Sequence, residues 1–319
     1  MAENAFVGED GRPFTIAEYK NMAGRAGRLG FNETGKAIIL AETPIERAQL
    51  FHKYVLGRPE DVTSSFKQRD LPTWTLRLLS QVRGVRGEEI PGLLANTFGG
   101  YSASLANPHW IRQTEGEIAA LVDRLPQAGL AERDGDLVRL TLLGRACGSS
   151  SLAFESSLRL IELMRQLDIT RTDPVRVLGI VQVLAEMDAI YTPVMKRGRA
   201  EPVRASQVGQ RYGTEMAHFL QRYCDGDFQY LARCKRAVIL FDWIGGVPAD
   251  EIERRYTTTP FQGAVSYDDI TRIAEGARVH LRSAHQILSA LSPRSPTSCS
   301  RLTNCSAGSS SVFPPMRWG

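Results

Sequence analysis

Tyr19-Lys-Asn-Met-Ala-Gly-Arg-Ala-Gly-Arg28, running on through Leu29-Gly-Phe-Asn-Glu-Thr-Gly35 into Lys36-Ala-Ile-Ile-Leu40, is the stretch that decides how this chain reads. Arg25 and Arg28 lie three residues apart, and Gly24 and Gly27 precede them. On a helix that spacing puts both guanidinium groups on one face. A glycine carries no Cβ, so backbone or ligand can approach closely there. Paired guanidinium forks suit phosphate oxygens, because they donate in parallel and stay charged at any working pH. The plain alternative is a solvated basic helix start.

The whole string resembles the last motif of superfamily-two helicases, Q-x-x-G-R-x-G-R. It is most similar to the DExH subgroup related to the Ski helicase and the archaeal fork-remodelling helicases, in which Y-K-Q-M-x-G-R-A-G-R recurs. Asn21 departs from that pattern: it keeps an amide but is one methylene shorter than the usual glutamine. The resemblance implies that Arg25 and Arg28 are catalytic, reaching across a cleft to the γ-phosphate of ATP as arginine fingers. It also puts Asn21, Gly24 and Gly27 on the nucleotide side. Their chemistry would be charge stabilisation during phosphoryl transfer. No G-x-x-x-x-G-K-[ST] and no D-E-x-H or D-E-A-D occurs in the chain, yet such an ATPase needs them to cradle phosphates and hold magnesium. ATP and Mg2+ are therefore expected only with a missing or partner motor domain. The chain reads as the C-terminal part of a helicase, through truncation, a mis-called start or a split gene, and as inactive in ATP hydrolysis alone.

The fold class that follows is mixed and mainly α. Residues 1–57 are expected to be the end of a second RecA-like α/β domain, with Lys36–Leu40 as a buried strand and a helix opening at Thr43-Pro44. Alone, such a piece cannot close a sheet and should leave a sticky edge. Residues 58–70 lie in a stretch, Tyr54–Phe66 at its heart, that resembles the family linker. Residues 71–150 show helical periodicity over 72–82, 88–97 and 114–127, then an Asp134-Gly135 turn between two short strands. Three helices and a hairpin spell a winged helix, and Thr141-Leu-Leu-Gly-Arg145 resembles the family exit from that domain. Residues 151–292 read as an all-α domain: 152–167, a helix apolar nearly all round over 175–187, 228–244, and 267–291. Residues 293–319 are Ser/Pro-rich and expected to be disordered.

The last helix carries an apolar stripe of Ile270, Ile273, Ala277, Leu281, Ala284, Leu288 and Leu291, opposite Arg272, Arg278, Arg282, His285 and Gln286. In relatives the equivalent helix acts as a ratchet along a translocating strand. The resemblance makes Arg278 and Arg282 candidates for backbone contact, and His280 or His285 for stacking on a base. A surface helix with a basic face is the alternative. Lys196 and Arg197, with Arg199 and Arg204, form a basic loop that either grips phosphates or is a plain insertion.

Composition narrows the field modestly. The 319 residues are 43% hydrophobic and 23% charged, with net charge +4, which permits nucleic-acid binding without demanding it. No signal peptide or run of about eighteen apolar residues is present, so a cytoplasmic protein away from membranes is expected. Five cysteines without a C-x-x-C pair, and scattered histidines, give no metal or disulfide signature. The expected partners are single-stranded or forked nucleic acid, DNA with RNA as the alternative, and a polypeptide carrying the first RecA-like domain. The competing reading is a standalone winged-helix nucleic-acid-binding or adaptor protein, which would bind duplex tightly and have no use for Arg25 or Arg28.

Overall fold

The computed structural model describes residues 13–26, 35–166, 174–195 and 201–291. Two compact units result, residues 1–65 and 66–319.

In the first unit, Thr15 starts helix α1 (Ile16–Ala23) through a capping box: its hydroxyl accepts from Glu18 N, and the Glu18 carboxylate accepts from Thr15 N. Glu60 takes the next two free amides, Ile16 N at 2.8 Å and Ala17 N at 3.0 Å, which hold its carboxyl below the usual range. Lys20 donates to Gly57 O at 2.6 Å. The α-helix stops at Ala23, and Gly24–Ala26 form a 3-10 turn. Gly27, Arg28 and the residues to Thr34 lie outside the described residues.

The buried strand expected over Lys36–Leu40 is not formed. Those residues carry no sheet hydrogen bonds, and Ile38 and Leu40 are 80% and 75% exposed. The reason is pairing: among the described residues every strand belongs to one sheet confined to residues 85–140, so no described strand lies alongside this segment. Helix α2 (Pro44–Leu50) does open as expected, with Thr43 accepting from Glu46 N and Pro44 in the first turn. It continues into a π-helical turn, Phe51–Leu56. Tyr54 on that turn is the one described hydrophobic side chain buried in this unit; its hydroxyl donates to Phe14 O and its ring meets Tyr19 at 5.2 Å.

The second unit begins with α3 (Leu71–Gln81), a two-residue strand β1 (Val85–Arg86), α4 (Ile90–Ala95), α5 (Phe98–Ala106) and α6 (Trp110–Gln127). Strands β2 (Ala131–Asp134) and β3 (Leu137–Leu140) form a hairpin, and β1 adds antiparallel to β3, giving the order β1-β3-β2. The turn falls one residue later than expected. Asp134 pairs with Leu137 in the ladder, so Gly135-Asp136 make the two-residue loop, with Gly135 at φ +58° where a side chain would be strained. Thr141 then caps α7 (Leu142–Ser149) by accepting from Gly144 N. Gly144 is obligatory: a Cβ there would stand 1.9 Å from Leu130 O.

The helices of the remaining structure gather on α15 (Tyr267–Leu291), which packs against most of those before it. Before it come α8 (Phe154–Gln166), α9 (Pro174–Ile180), α10 (Ala185–Asp188), α11 (Ala205–Tyr212), α12 (Met216–Gln221), α13 (Asp227–Ile244) and α14 (Ala249–Tyr256). A single hydrophobic cluster runs from Leu71 through Leu160, Val183 and Ile239 to Leu288. The continuous helix expected over 175–187 is interrupted: α9 passes into a 3-10 turn at Val181–Val183, and Leu184 is extended before α10. The break has a use. It turns the Gln182 carbonyl and side-chain oxygen toward the buried Arg236 guanidinium, which donates to both.

Candidate nucleic-acid interface

Helix α15 starts at Ser266, whose hydroxyl accepts from Asp269 N while the Asp269 carboxylate accepts from Ser266 N and Oγ. Asp268 and Asp269 in the first turn complement the positive end of the helix dipole. Its 25 residues make a rod of roughly 38 Å. The stripe from Ile270 to Leu288 is buried, which leaves the Arg278 and Arg282 side outward.

Arg278 and Arg282 line one groove, with a cavity of about 260 Å³, together with Gln286, Ser283, Ser149 and Ser151. The groove is built by a tie between α15 and the end of α7: the Ser151 and Ser283 hydroxyls are 2.9 Å apart, and Ser151 N donates to Ser283 Oγ at 3.3 Å. Arg278 pairs with Glu275 at 2.7 Å, both about half exposed, so the pair is weakly held and its cation can be recruited by a stronger anion. Arg282 is exposed and has no acidic partner among the described residues. Two exposed cations flanked by hydroxyl and amide donors match a run of phosphate oxygens.

His285 lies at the edge of this face but does not line the groove; it is half-buried, with Nδ1 buried and unpartnered. His280 is 8% exposed and turned inward, so it presents no ring to a base. Burial pushes both imidazoles below their ordinary pKa, and each is neutral at pH 7. At the other end of the chain, Asn21, Gly24 and Arg25 are all exposed, and a Cβ at Gly24 would touch nothing. Arg25 sits on the 3-10 turn and not on α1, so the helical spacing argued for Arg25 and Arg28 does not apply to it. Arg28, Gly27, Lys196 and Arg197 lie outside the described residues, as does the 292–319 tail.

The outer face of α6 carries Glu115, Glu117 and Asp123, and with Glu88 and Asp136 it borders a hollow whose one lining cation, Arg133, is paired to Asp123 at 2.6 Å. A duplex phosphate backbone would meet carboxylates there.

What sequence reasoning missed is a buried ionic layer on α13. Arg233, Lys235 and Arg236 are each 0–1% exposed. Asp188 bridges the two arginines, to Arg233 at 2.6 Å and Arg236 at 2.7 Å, and Lys235 pairs with the fully buried Glu201 at 3.1 Å. Arg233 further donates to the carbonyls of Leu220 and Arg222. The available signal was Arg233-Cys-Lys-Arg236 set within an otherwise apolar helix, since long cations there must find partners or leave the core. Among the described residues no group of three or more His, Cys, Asp or Glu is placed to hold a metal ion, and no helix is long and apolar enough to cross a membrane.

No family model matches the chain. Three curated relatives are similar to it, all called ATP-dependent DNA helicase Hel308. The chain is 25% identical over 261 residues to that of Caldivirga maquilingensis and 30% identical over 248 residues to that of Pyrobaculum calidifontis, each match covering 77% of this chain. A third, from Aeropyrum pernix, is 36% identical over 145 residues, 45% of this chain. The matched regions are 33%, 32% and 19% of those proteins, so the chain spans about a third of the length of the first two.

Proposed function

We propose that the chain belongs to the Hel308-type branch of the superfamily-two helicases and supplies the C-terminal, nucleic-acid-gripping part of an ATP-dependent DNA helicase. The observation that carries the reading is the groove on α15, where Arg278 and Arg282 converge with Ser149, Ser151 and Gln286. In this reading residues 151–292 are a ratchet-like helical domain. Residues 71–150 are a winged helix, a reading supported by α3, α4 and α6 followed by the β2–β3 hairpin. Residues 1–57 end a second RecA-like domain and 58–70 link it onward. Arg25 and Arg28 act as arginine fingers on ATP and Mg2+ held by the rest of the motor, whether in a longer chain or in a partner polypeptide. The relatives' name favours DNA over RNA. The standalone duplex-reading alternative is disfavoured by the carboxylates on the outer face of α6.

Binding of single-stranded and duplex DNA, measured by fluorescence anisotropy at two salt concentrations, tests this. Single strand should bind better, with little sequence preference, and Arg278→Ala/Arg282→Ala should lower the salt slope by up to ~1.4, about 0.7 per lost phosphate contact. The chain alone should not hydrolyse ATP. Tight, site-specific duplex binding indifferent to the two arginines would refute the proposal.

A further inference from the structure

A hollow of about 690 Å³ opens between the segment after α10, the first turns of α13 and the loop before α15. Three aromatic residues surround its mouth: Phe228, Tyr191, which is 61% exposed, and Phe261, which is 96% exposed. A phenylalanine held almost wholly in water gains nothing for the fold, since its apolar area is not removed from solvent.

Its loop is not slack. Thr258 N donates to Gly263 O, Thr259 N and Oγ1 donate to Gln262 O, and Gly263 closes the turn at φ +72°. The base of the turn is pinned to the core: Lys235 Nζ donates to Gly263 O at 3.2 Å, and Thr258 Oγ1 donates to Glu201 at 2.9 Å. The buried Lys235–Glu201 pair thereby fixes Phe261 at the rim.

At the floor are Asp188, Thr192 and Arg236. Arg236 is paired with Asp188 on the floor itself, and the same carboxylate also takes Arg233, buried behind the lining, so this cluster holds two cations to one carboxylate. The wall residue Ile190 touches α15 at Gly276, where a Cβ would stand 2.1 Å from its Cδ1, two residues from Arg278. A wall residue of the hollow therefore packs on the helix that carries the arginine groove.

We propose that this hollow is a second contact for single-stranded nucleic acid, taking bases by stacking on Phe261 and Tyr191 while the arginine groove takes phosphates. Every base offers a π-face, so such a platform is tolerant of sequence. The surplus cation buried behind the floor favours an anionic strand over a cationic peptide. This inference rests on the function proposed above and deepens it, with stacking and phosphate contact assigned to different residues.

The two contacts separate by experiment. Anisotropy is measured for the full chain with a short oligothymidylate and with an abasic oligodeoxynucleotide of equal length. Wild type should prefer the oligothymidylate. Phe261→Ala/Tyr191→Ala should weaken oligothymidylate binding about 5-fold or more, leave abasic binding unchanged and leave the salt slope unchanged. Both positions are exposed, so circular dichroism should show a native fold. Unchanged oligothymidylate affinity in the double variant, with binding still dependent on Arg278 and Arg282, overturns this inference alone. A loss equal on both oligonucleotides overturns it too, because stacking would not be the contact. Absence of binding by wild type overturns both this inference and the proposed function.

Discussion

Asp188→Asn is the sharpest test of how the helical unit is held together. Asp188 Oδ1 accepts from Arg233 Nε at 2.9 Å and Arg236 Nη2 at 2.7 Å; Oδ2 accepts from Arg233 Nη2 at 2.6 Å and Gln229 Nε2 at 2.9 Å. Whichever oxygen becomes an amide nitrogen will then face a guanidinium N–H, donor against donor. The charge vanishes as well, leaving two buried cations without a counter-ion. Removing one partner of a buried pair costs about 3–5 kcal/mol, and here one change unpairs two arginines. A loss of at least ~3 kcal/mol is expected, a large part of the ~5–15 kcal/mol that holds a typical domain. The control is Glu155→Gln. Its carboxylate grips Arg124 by two bonds of 2.7 and 3.1 Å, but both side chains are about half exposed, so under ~1 kcal/mol should be lost. Urea unfolding followed by far-UV circular dichroism, which reports the helices of this unit, reads both. The Asp188→Asn midpoint should drop sharply with little change in slope. A loss below ~1 kcal/mol, or one equal to the control, would show that the arginines find other partners and that the layer is not the brace described.

Two further outcomes follow from packing and titration. Gly144→Ala should destabilise by ~1–3 kcal/mol, because the new methyl meets Leu130 O, whereas Gly116→Ala on the open face of α6 should stabilise by roughly 0.5–1 kcal/mol; equal midpoints for the two would refute the packing argument. His280 and His285 have folded pKa values depressed by burial, so the unfolded chain takes up protons first as pH falls. Their stability is fully present above the ordinary histidine value near ~6.5 and is lost as pH falls through the lower folded values. His280→Leu, whose Nδ1 makes no hydrogen bond to lose, should flatten that fall in a series of urea midpoints from neutral to mildly acidic pH.

Much of the helical frame was legible because its signals are local. Periodicity and caps placed the helix expected over 228–244 within a residue of α13 (Asp227–Ile244), and the 267–291 helix on α15. Thr43-Pro44 likewise marked the start of α2. Periodicity put Arg278 and Arg282 on one helix face and the resemblance singled them out, but the serines at and beyond the end of α7 that share their groove were not legible, because that meeting joins residues more than a hundred positions apart. The strand expected at Lys36–Leu40 failed for the same kind of reason: Ala-Ile-Ile-Leu carries strand propensity, but a strand exists only beside a partner. Strand β1, two residues long, and the break at Val181–Val183 gave no periodic signal at all; both are set by what lies across from them, β3 in one case and Arg236 in the other.

The scarcity of buried side chains in the first unit has a consequence for how the arginine motif behaves. With Tyr54 as its one buried hydrophobic among described residues, and Ile38, Leu40, Ile45 and Leu56 facing water, this segment has little apolar burial to resist opening. Its amides should exchange with solvent far faster than those of α13, as an independent foldon whose melting leaves the helical unit intact. A surface that covered Ile38 and Leu40 would raise that protection. Arg25, on the turn that ends α1, belongs to this thinly buried segment and should share its fast exchange.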